Sequence, residues 1–393
     1  MTSFDPAAAT AAYLSVLTPE AHAKATAYTQ GGHWLLLWGA LVGLVISWIV
    51  LRTGLLVKIR AWINGKKSRP WLAALIVILV DGVLEGAMNL PWSIYSDWSR
   101  EKTYGLTSQP LAGWLSEQLT LMGISLVITS LLVAGLYALI RRAPRIWWLI
   151  GGGAVTAVML LLMVAAPVFI EPLFNTYTPA PPGPVRDAVV AMAKANGVPS
   201  DKIYIYNGSK QSNRYTANVS GLFGTARVAM SDTMFKKDAD LAEVRGVVGH
   251  EMGHYVHMHS IWLASAYGLL SLIAFFLIDR LFVPTLKLTG AKGVTGLSDP
   301  AGFPVISILF TVLGLLATPV TSSITRIAEA DADRFSLERV NEPDGLAKAL
   351  VKTIEYRAAT PSRLEEVIFY DHPAVGNRVR SAMDWKAAHP KPQ

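Results

Sequence analysis

Residues 240–259 read DLAEVRGVVGHEMGHYVHMH. His250 and His254 are four apart, so a helix carries both imidazoles on one face, one turn from each other, where they can share a metal ion. Glu251 sits beside the pair, within reach of water on that ion, as a general base. The helix itself is expected from Asp240 as its N-cap, with Glu243 as reciprocal partner. Leu241, Val244, Val247, Val248 and Met252 then follow at helical spacing. Catalytic zinc usually takes three protein ligands and a water. His257 lies one further turn along, where a straight helix cannot aim it at the same tetrahedral ion, so it is expected to face solvent or stand behind a ligand. The stretch Thr325–Glu338, TRIAEADADRFSLE, serves better. It reads as helix and presents Glu329 and Asp333 on one face. Glu329 suits the third ligand, and Asp333 suits a carboxylate that accepts from a ligand imidazole and fixes its tautomer.

The elements that must position these residues belong to a membrane protein. Of 393 residues, 52% are apolar and 16% charged, against roughly 25% charged in ordinary soluble domains. Mean hydropathy is +0.37. Six stretches reach the roughly 20 apolar residues of a membrane helix: Trp34–Leu51, Trp71–Leu90, Leu119–Ile140, Ile146–Ile170, Ile261–Phe282 and Phe303–Ile324. The second holds Asp81 and Glu85, which either line an internal cavity or pair with a neighbouring span's Ser, Thr or Arg. The expected organisation is an N-terminal segment 1–33, spans one to four in 34–170, and a protease domain with the zinc helix in 171–260. Spans five and six follow in 261–324, and the C-terminal part of the catalytic domain in 325–393. The fold class is mainly α: a polytopic α-helical membrane bundle of about six spans with an inserted α/β zinc metalloprotease domain. Within the insertion, Pro179–Pro184 is a linker, 186–196 a helix, and 202–206 and 226–230 strands. Residues 5–30 read as one short amphipathic helix, and Gly290–Pro304 joins the last two spans.

Two spans separate the insertion from the tail, so both lie on one side of the bilayer. No basic n-region precedes a short apolar core, so no cleavable signal peptide is expected. Absence of Cys excludes disulfides, thiolate metal sites and cysteine nucleophiles. The net charge of +7 is read as contact with lipid headgroups and as topology signal rather than nucleic-acid binding. No repeat, phosphate loop or nucleic-acid motif is present. Positive charge concentrates after span one (Arg52, Lys58, Arg60, Lys66, Lys67, Arg69) and after span three (Arg141, Arg142, Arg145). The positive-inside rule puts these loops in the cytoplasm and the polar domain outside.

Beyond the zinc motif, several segments resemble one family, the zinc-dependent integral-membrane CAAX prenyl proteases of type I. Asn89–Gln109 (NLPWSIYSDWSREKTYGLTSQ), Phe169–Gly183 (FIEPLFNTYTPAPPG), Ile203–Gly221, Val228–Thr233 (VAMSDT), TRIAEADADRF and Tyr370–Arg378 (YDHPAVGNR) each look like a segment of that family, and His259 like its trailing histidine. The resemblance implies zinc held by His250, His254 and Glu329, with Glu251 as catalytic base and Asp333 behind a ligand. It implies His372 near the reacting carbonyl, Arg378 supporting the same site, and Tyr215, Thr216, Ala217 and Asn218 as an edge strand gripping an extended substrate. The family usually reads Asn-Ala-Tyr where this chain has Thr216-Ala217-Asn218, and its eukaryotic members have seven spans. The resemblance places the catalytic domain on the cytoplasmic face, opposite to the charge rule. It implies an endopeptidase acting on peptides or prenylated peptides at the bilayer, in the plasma or inner membrane of a prokaryote or the endoplasmic reticulum of a eukaryote. Two other readings remain open at this point: a quality-control protease similar to the heat-shock membrane protease HtpX, and a membrane scaffold with a vestigial metal site.

Overall fold

Proline and a capping oxygen open the first two helices. Asp5 accepts from Ala7 N at the start of α1 (Pro6–Leu14), and Thr18 accepts from Ala21 N at the start of α2 (Pro19–Thr53). In the computed structural model, which describes residues 4–65, 67–214, 216–234 and 239–390, the segment 5–30 is therefore two helices rather than one. The second runs unbroken into the first span. Gly54, at φ 64, turns the chain into α3 (Leu55–Asn64). The second span is α4 (Pro70–Ser93), a π-helical stretch Ile94–Ser99 and α5 (Arg100–Tyr104); Pro91, which has no N–H to donate, precedes the change of winding. Then come α6 (Leu111–Arg142) and α7 (Trp147–Ala165).

The polar insertion holds β1 (Tyr177–Pro179), α8 (Pro184–Ala195), β2 (Ile203–Tyr206), β3 (Ala217–Ser220), β4 (Arg227–Ser231) and α9 (Leu241–Val256). The chain closes with α10 (His259–Thr289), α11 (Phe303–Val340), α12 (Pro343–Lys352), α13 (Arg363–Phe369) and α14 (Val375–Ala388). Among the described residues, six helical segments are long and apolar enough to cross a membrane. Their outward faces carry exposed Trp38, Leu161, Leu269 and Leu316, while Ile78, Tyr137, Trp147, Ile278 and Val305 pack inside the bundle. Arg52 donates to the Gly290 carbonyl at 2.8 Å and Arg60 pairs with Asp299, so the loops after the first span and before the last meet at the bundle end away from the insertion. Glu85 accepts from Ser47 Oγ at 2.7 Å, as a partner on a neighbouring span, whereas Asp81 is fully buried and, among the described residues, neither carboxylate oxygen has a hydrogen-bond partner.

The sheet is small, ordered β1-β2-β4-β3, with β2 and β4 parallel and the outer strands antiparallel to them. Strands were expected from the residues at β2 and β4, and the resemblance implied an edge strand at 215–218, which overlaps β3 (Ala217–Ser220); β1 was not expected. α9 packs on this sheet through Val244, Val248 and Met252, against Val228 and Met230, with Val189 of α8 in the same core. Asp240 caps α9 through Ala242 N at 2.9 Å. Its expected reciprocal partner is otherwise engaged: Glu243 pairs with Lys352 of α12.

Two features bring distant stretches together. α11 has 38 residues, about 57 Å of helix at 1.5 Å per residue, against about 30 Å of hydrocarbon to cross. Its last turns therefore leave the bilayer as continuous helix and lie along α9. Glycines on α9 permit the close approach: a Cβ on Gly249 would stand 2.6 Å from Val340 Cγ2, and one on Gly253 3.0 Å from the Ala332 Cα. The tail packs on the same side, with Leu346, Leu350, Val379 and Met383 forming a core that Leu14 and Leu17 join. Between α9 and α10, Met258 adopts φ 52, a left-handed conformation costing about 1–2 kcal/mol for a non-glycine residue.

Candidate metal centre

α9 presents His250 and His254 from successive turns of one face, and α11 presents Glu329 opposite them. His250 Nε2 and His254 Nε2 are 3.2 Å apart; His250 Nε2 lies 3.2 Å from Glu329 Oε2, and His254 Nε2 lies 3.5 Å from Glu329 Oε1. Two ligands at 2.0–2.1 Å on a tetrahedral ion are separated by about 3.3 Å. All three edges match that span. Among the described residues Glu329 Oε2 is buried without a hydrogen bond, a costly state that a bound cation relieves. Two imidazoles and a carboxylate with a free fourth direction form the donor set of a catalytic divalent ion, so the residues fit one.

Behind the ligands, Asp333 Oδ1 lies 2.8 Å from His250 Nδ1. Arg378 grips the same carboxylate twice, Nε to Oδ2 at 2.6 Å and a terminal nitrogen to Oδ1 at 2.6 Å. All three side chains are buried. Arg378 thus holds His250 chiefly through Asp333, with one terminal nitrogen 3.5 Å from His250 Nδ1, and it lines the same cavity as Glu251. Removing one partner of a buried ion pair costs about 3–5 kcal/mol. Arg378→Ala is accordingly expected to lower thermal stability and to weaken metal retention by about 10–100-fold, measured by melting and by dialysis against a chelator. Arg378→Lys, which keeps the charge but loses the fork, is expected to recover stability better than metal retention.

On the open side, His372 Nε2 lies 3.1 Å from Glu329 Oε2, and its Nδ1 lies 2.7 Å from Asp371 Oδ1. A 160 Å³ cavity is lined by Glu251, His250 and His372 together with Thr216 and Ala217 at the start of β3. Burial pushes the Glu251 carboxyl up to about 7, with the His250 charge opposing the rise and Glu329 adding to it; a divalent cation beside it would act against the rise. β3 is an edge strand whose one sheet partner is β4. Thr216 is tied to the sheet by its carbonyl, which accepts from Ser231 N at 2.9 Å, and by its Oγ1, 2.8 Å from Tyr206 Oη. Asn218 Oδ1 is buried with no partner among the described residues. Tyr215 lies outside the described residues.

A family model described as "Peptidase family M48" matches residues 179–386, and one described as "CAAX prenyl protease N-terminal, five membrane helices" matches residues 6–176. The chain belongs to peptidase family M48. It is a membrane metalloprotease of the CAAX prenyl protease branch. In place of the five helices of that N-terminal description, the described residues within 6–176 contain four segments long and apolar enough to span. Among its relatives, the "Uncharacterized metalloprotease YhfN" of Bacillus subtilis strain 168 is 29% identical over 94% of this chain and 87% of its own. "CAAX prenyl protease 1" of Saccharomyces cerevisiae is 26% identical over 77% and 70%. The crystal structure of S. mikatae Ste24p superposes with a TM-score of 0.77 at 22% identity, covering 94% of this chain and 89% of that one, and shows the same fold.

Some contacts at this M48 site carry no mark in the sequence. His254 Nδ1 lies 3.0 Å from His259 Nδ1, and His259 Nε2 lies 3.1 Å from Asp331 Oδ2. His257 also pairs with Asp331, away from the cluster of His250, His254 and Glu329. Asp331 had no assigned role; its spacing of two from Glu329 puts it on another face of α11, and only the packing of α11 against the α9–α10 junction gives it partners.

Proposed function

We propose that this metalloprotease is a zinc endopeptidase that cleaves extended peptides delivered from the bilayer, with C-terminally prenylated chains as its preferred class. The observation that carries the reading is the shared cavity: Glu251, His250 and His372 line the same narrow space as the start of the edge strand β3. His250, His254 and Glu329 would hold the zinc, which when bound acidifies water and polarises a carbonyl. Glu251 takes the proton of the attacking water at its carboxylate and passes it to the leaving amine nitrogen. Asp333 holds His250 by Nδ1, leaving Nε2 directed at the centre. His372 donates from Nε2 toward the scissile carbonyl oxygen, and β3 adds main-chain hydrogen bonds that keep the substrate extended. A cavity this small excludes folded proteins.

Prenylated substrates are supported by the likeness to the yeast relative, "CAAX prenyl protease 1". The prediction is that a farnesylated CAAX peptide is cleaved at least ~10-fold faster at low concentration than its unprenylated twin, because the chain's apolar carbons add binding energy of about 0.8 kcal/mol per buried methylene. Equal rates for both peptides, or faster cleavage of an unfolded membrane protein, would favour the quality-control reading.

The catalytic domain faces the cytoplasm in this proposal. Arg52 and Arg60 have structural partners in the 290–299 loop, so their placement answers to packing as well as to topology. The chain has no Cys, so a single Cys at exposed Lys67 reports cleanly. It is expected to react with an impermeant thiol reagent added outside intact cells; protection there until the membrane is opened would reverse the orientation.

A further inference from the structure

His257, His259 and Asp331 form a second cluster of metal-ligating groups on the outer surface of the same junction. One donor atom from each lies within 4.8 Å of the others. His259 Nε2 is 3.1 Å from Asp331 Oδ2, and His257 Nδ1 contacts that same oxygen. The two histidines flank Met258, whose positive φ ends α9 and starts α10; a continuous helix would turn residues two apart toward different faces. The arrangement is braced from behind. His259 is 7% exposed and backs onto His254, and the His257 ring meets the edge of Phe335 at 5.3 Å between centroids. It is open in front, where the side chains of His257 and Asp331 are 39% and 42% exposed, leaving room for an ion to enter with a water as fourth ligand.

We infer that His257, His259 and Asp331 form a second binding site for a first-row divalent transition ion, distinct from the one His250, His254 and Glu329 make. Two imidazole nitrogens and one carboxylate oxygen suit zinc, cobalt or nickel and exclude the all-oxygen preference of calcium and magnesium. An occupant links the end of α9, the start of α10 and the emergent part of α11. The two sites touch through His259. An imidazole that binds an ion at Nε2 carries its proton on Nδ1, and in the doubly filled protein His254 and His259 would turn N–H groups toward each other. The outer ion therefore binds more weakly than the inner one.

The inference is independent of substrate and is tested without any cleavage assay. Full-length protein in detergent, stripped and titrated with Zn²⁺ under equilibrium dialysis, is expected to bind two ions per chain, one for each cluster. His257→Ala, at an exposed position, and Asp331→Ala, at a half-buried one, should each lose the weaker equivalent and keep the tighter one, with melting when stripped near that of the stripped wild type. Saturation of the wild type at one ion, or retention of both equivalents by either variant, overturns the second site.

Discussion

Glu251→Gln is expected to bind its metal as the wild type does and to cleave peptides about 10²–10⁴-fold more slowly, the range lost when a general base is removed. The amide has nearly the shape of the carboxylate but cannot accept a proton from water. Glu251 shares the cavity with His250 and His372 and is not among the three groups that converge at His250, His254 and Glu329. Chemistry and metal binding should therefore separate at this residue. The loss should appear in kcat, with KM nearly unchanged. Metal content measured beside the rate checks the assignment, and a variant retaining more than about a tenth of the wild-type rate would remove Glu251 as the base.

Glu329→Ala is expected to have the larger effect, because it removes the ion together with everything the ion supplies. Glu329 spans the triangle, 3.2 Å from His250 Nε2 and 3.5 Å from His254 Nε2. Without it, two imidazoles on one helix remain, an incomplete set for a catalytic zinc site. Cleavage should fall below detection, and the tight metal equivalent should disappear. Melting of the stripped variant should stay near that of the stripped wild type, since Asp333 and Arg378 still satisfy His250 from behind. A stripped variant that unfolds instead would make Glu329 a residue of the fold rather than of the site.

Much of this site was legible because it is built from local periodicity. His250 and His254, and Glu329 and Asp333, are each four apart, and helical geometry alone puts each pair on one face. The spans were legible because about 20 apolar residues have few other uses. What escaped depends on contacts between distant segments. β1 has three residues, too short for alternation to register, and β3, with four, was marked by the resemblance rather than by alternation. Glu243 fits a capping box by spacing, yet Lys352, more than a hundred residues away in sequence, takes its carboxylate. The roles of Gly249 and Gly253 emerge only with α11 beside them. α2 and α11 run well past their apolar stretches, since a helix continues into water wherever tertiary packing rewards it. For α11 that continuation carries Glu329 to the histidines. Asp81 and Glu85, alike in sequence, differ in the bundle: one has Ser47 as partner, the other none.

The central claim is that α9 and the emergent end of α11 hold one divalent ion between them. Diffraction from crystals of the wild-type protein, collected on both sides of the zinc absorption edge, tests it most directly. The account predicts an anomalous peak bounded by His250 Nε2, His254 Nε2 and the Glu329 carboxylate, absent from Glu329→Ala crystals. No peak at that point in zinc-replete wild-type crystals, with Glu329 turned from the imidazoles, would contradict it.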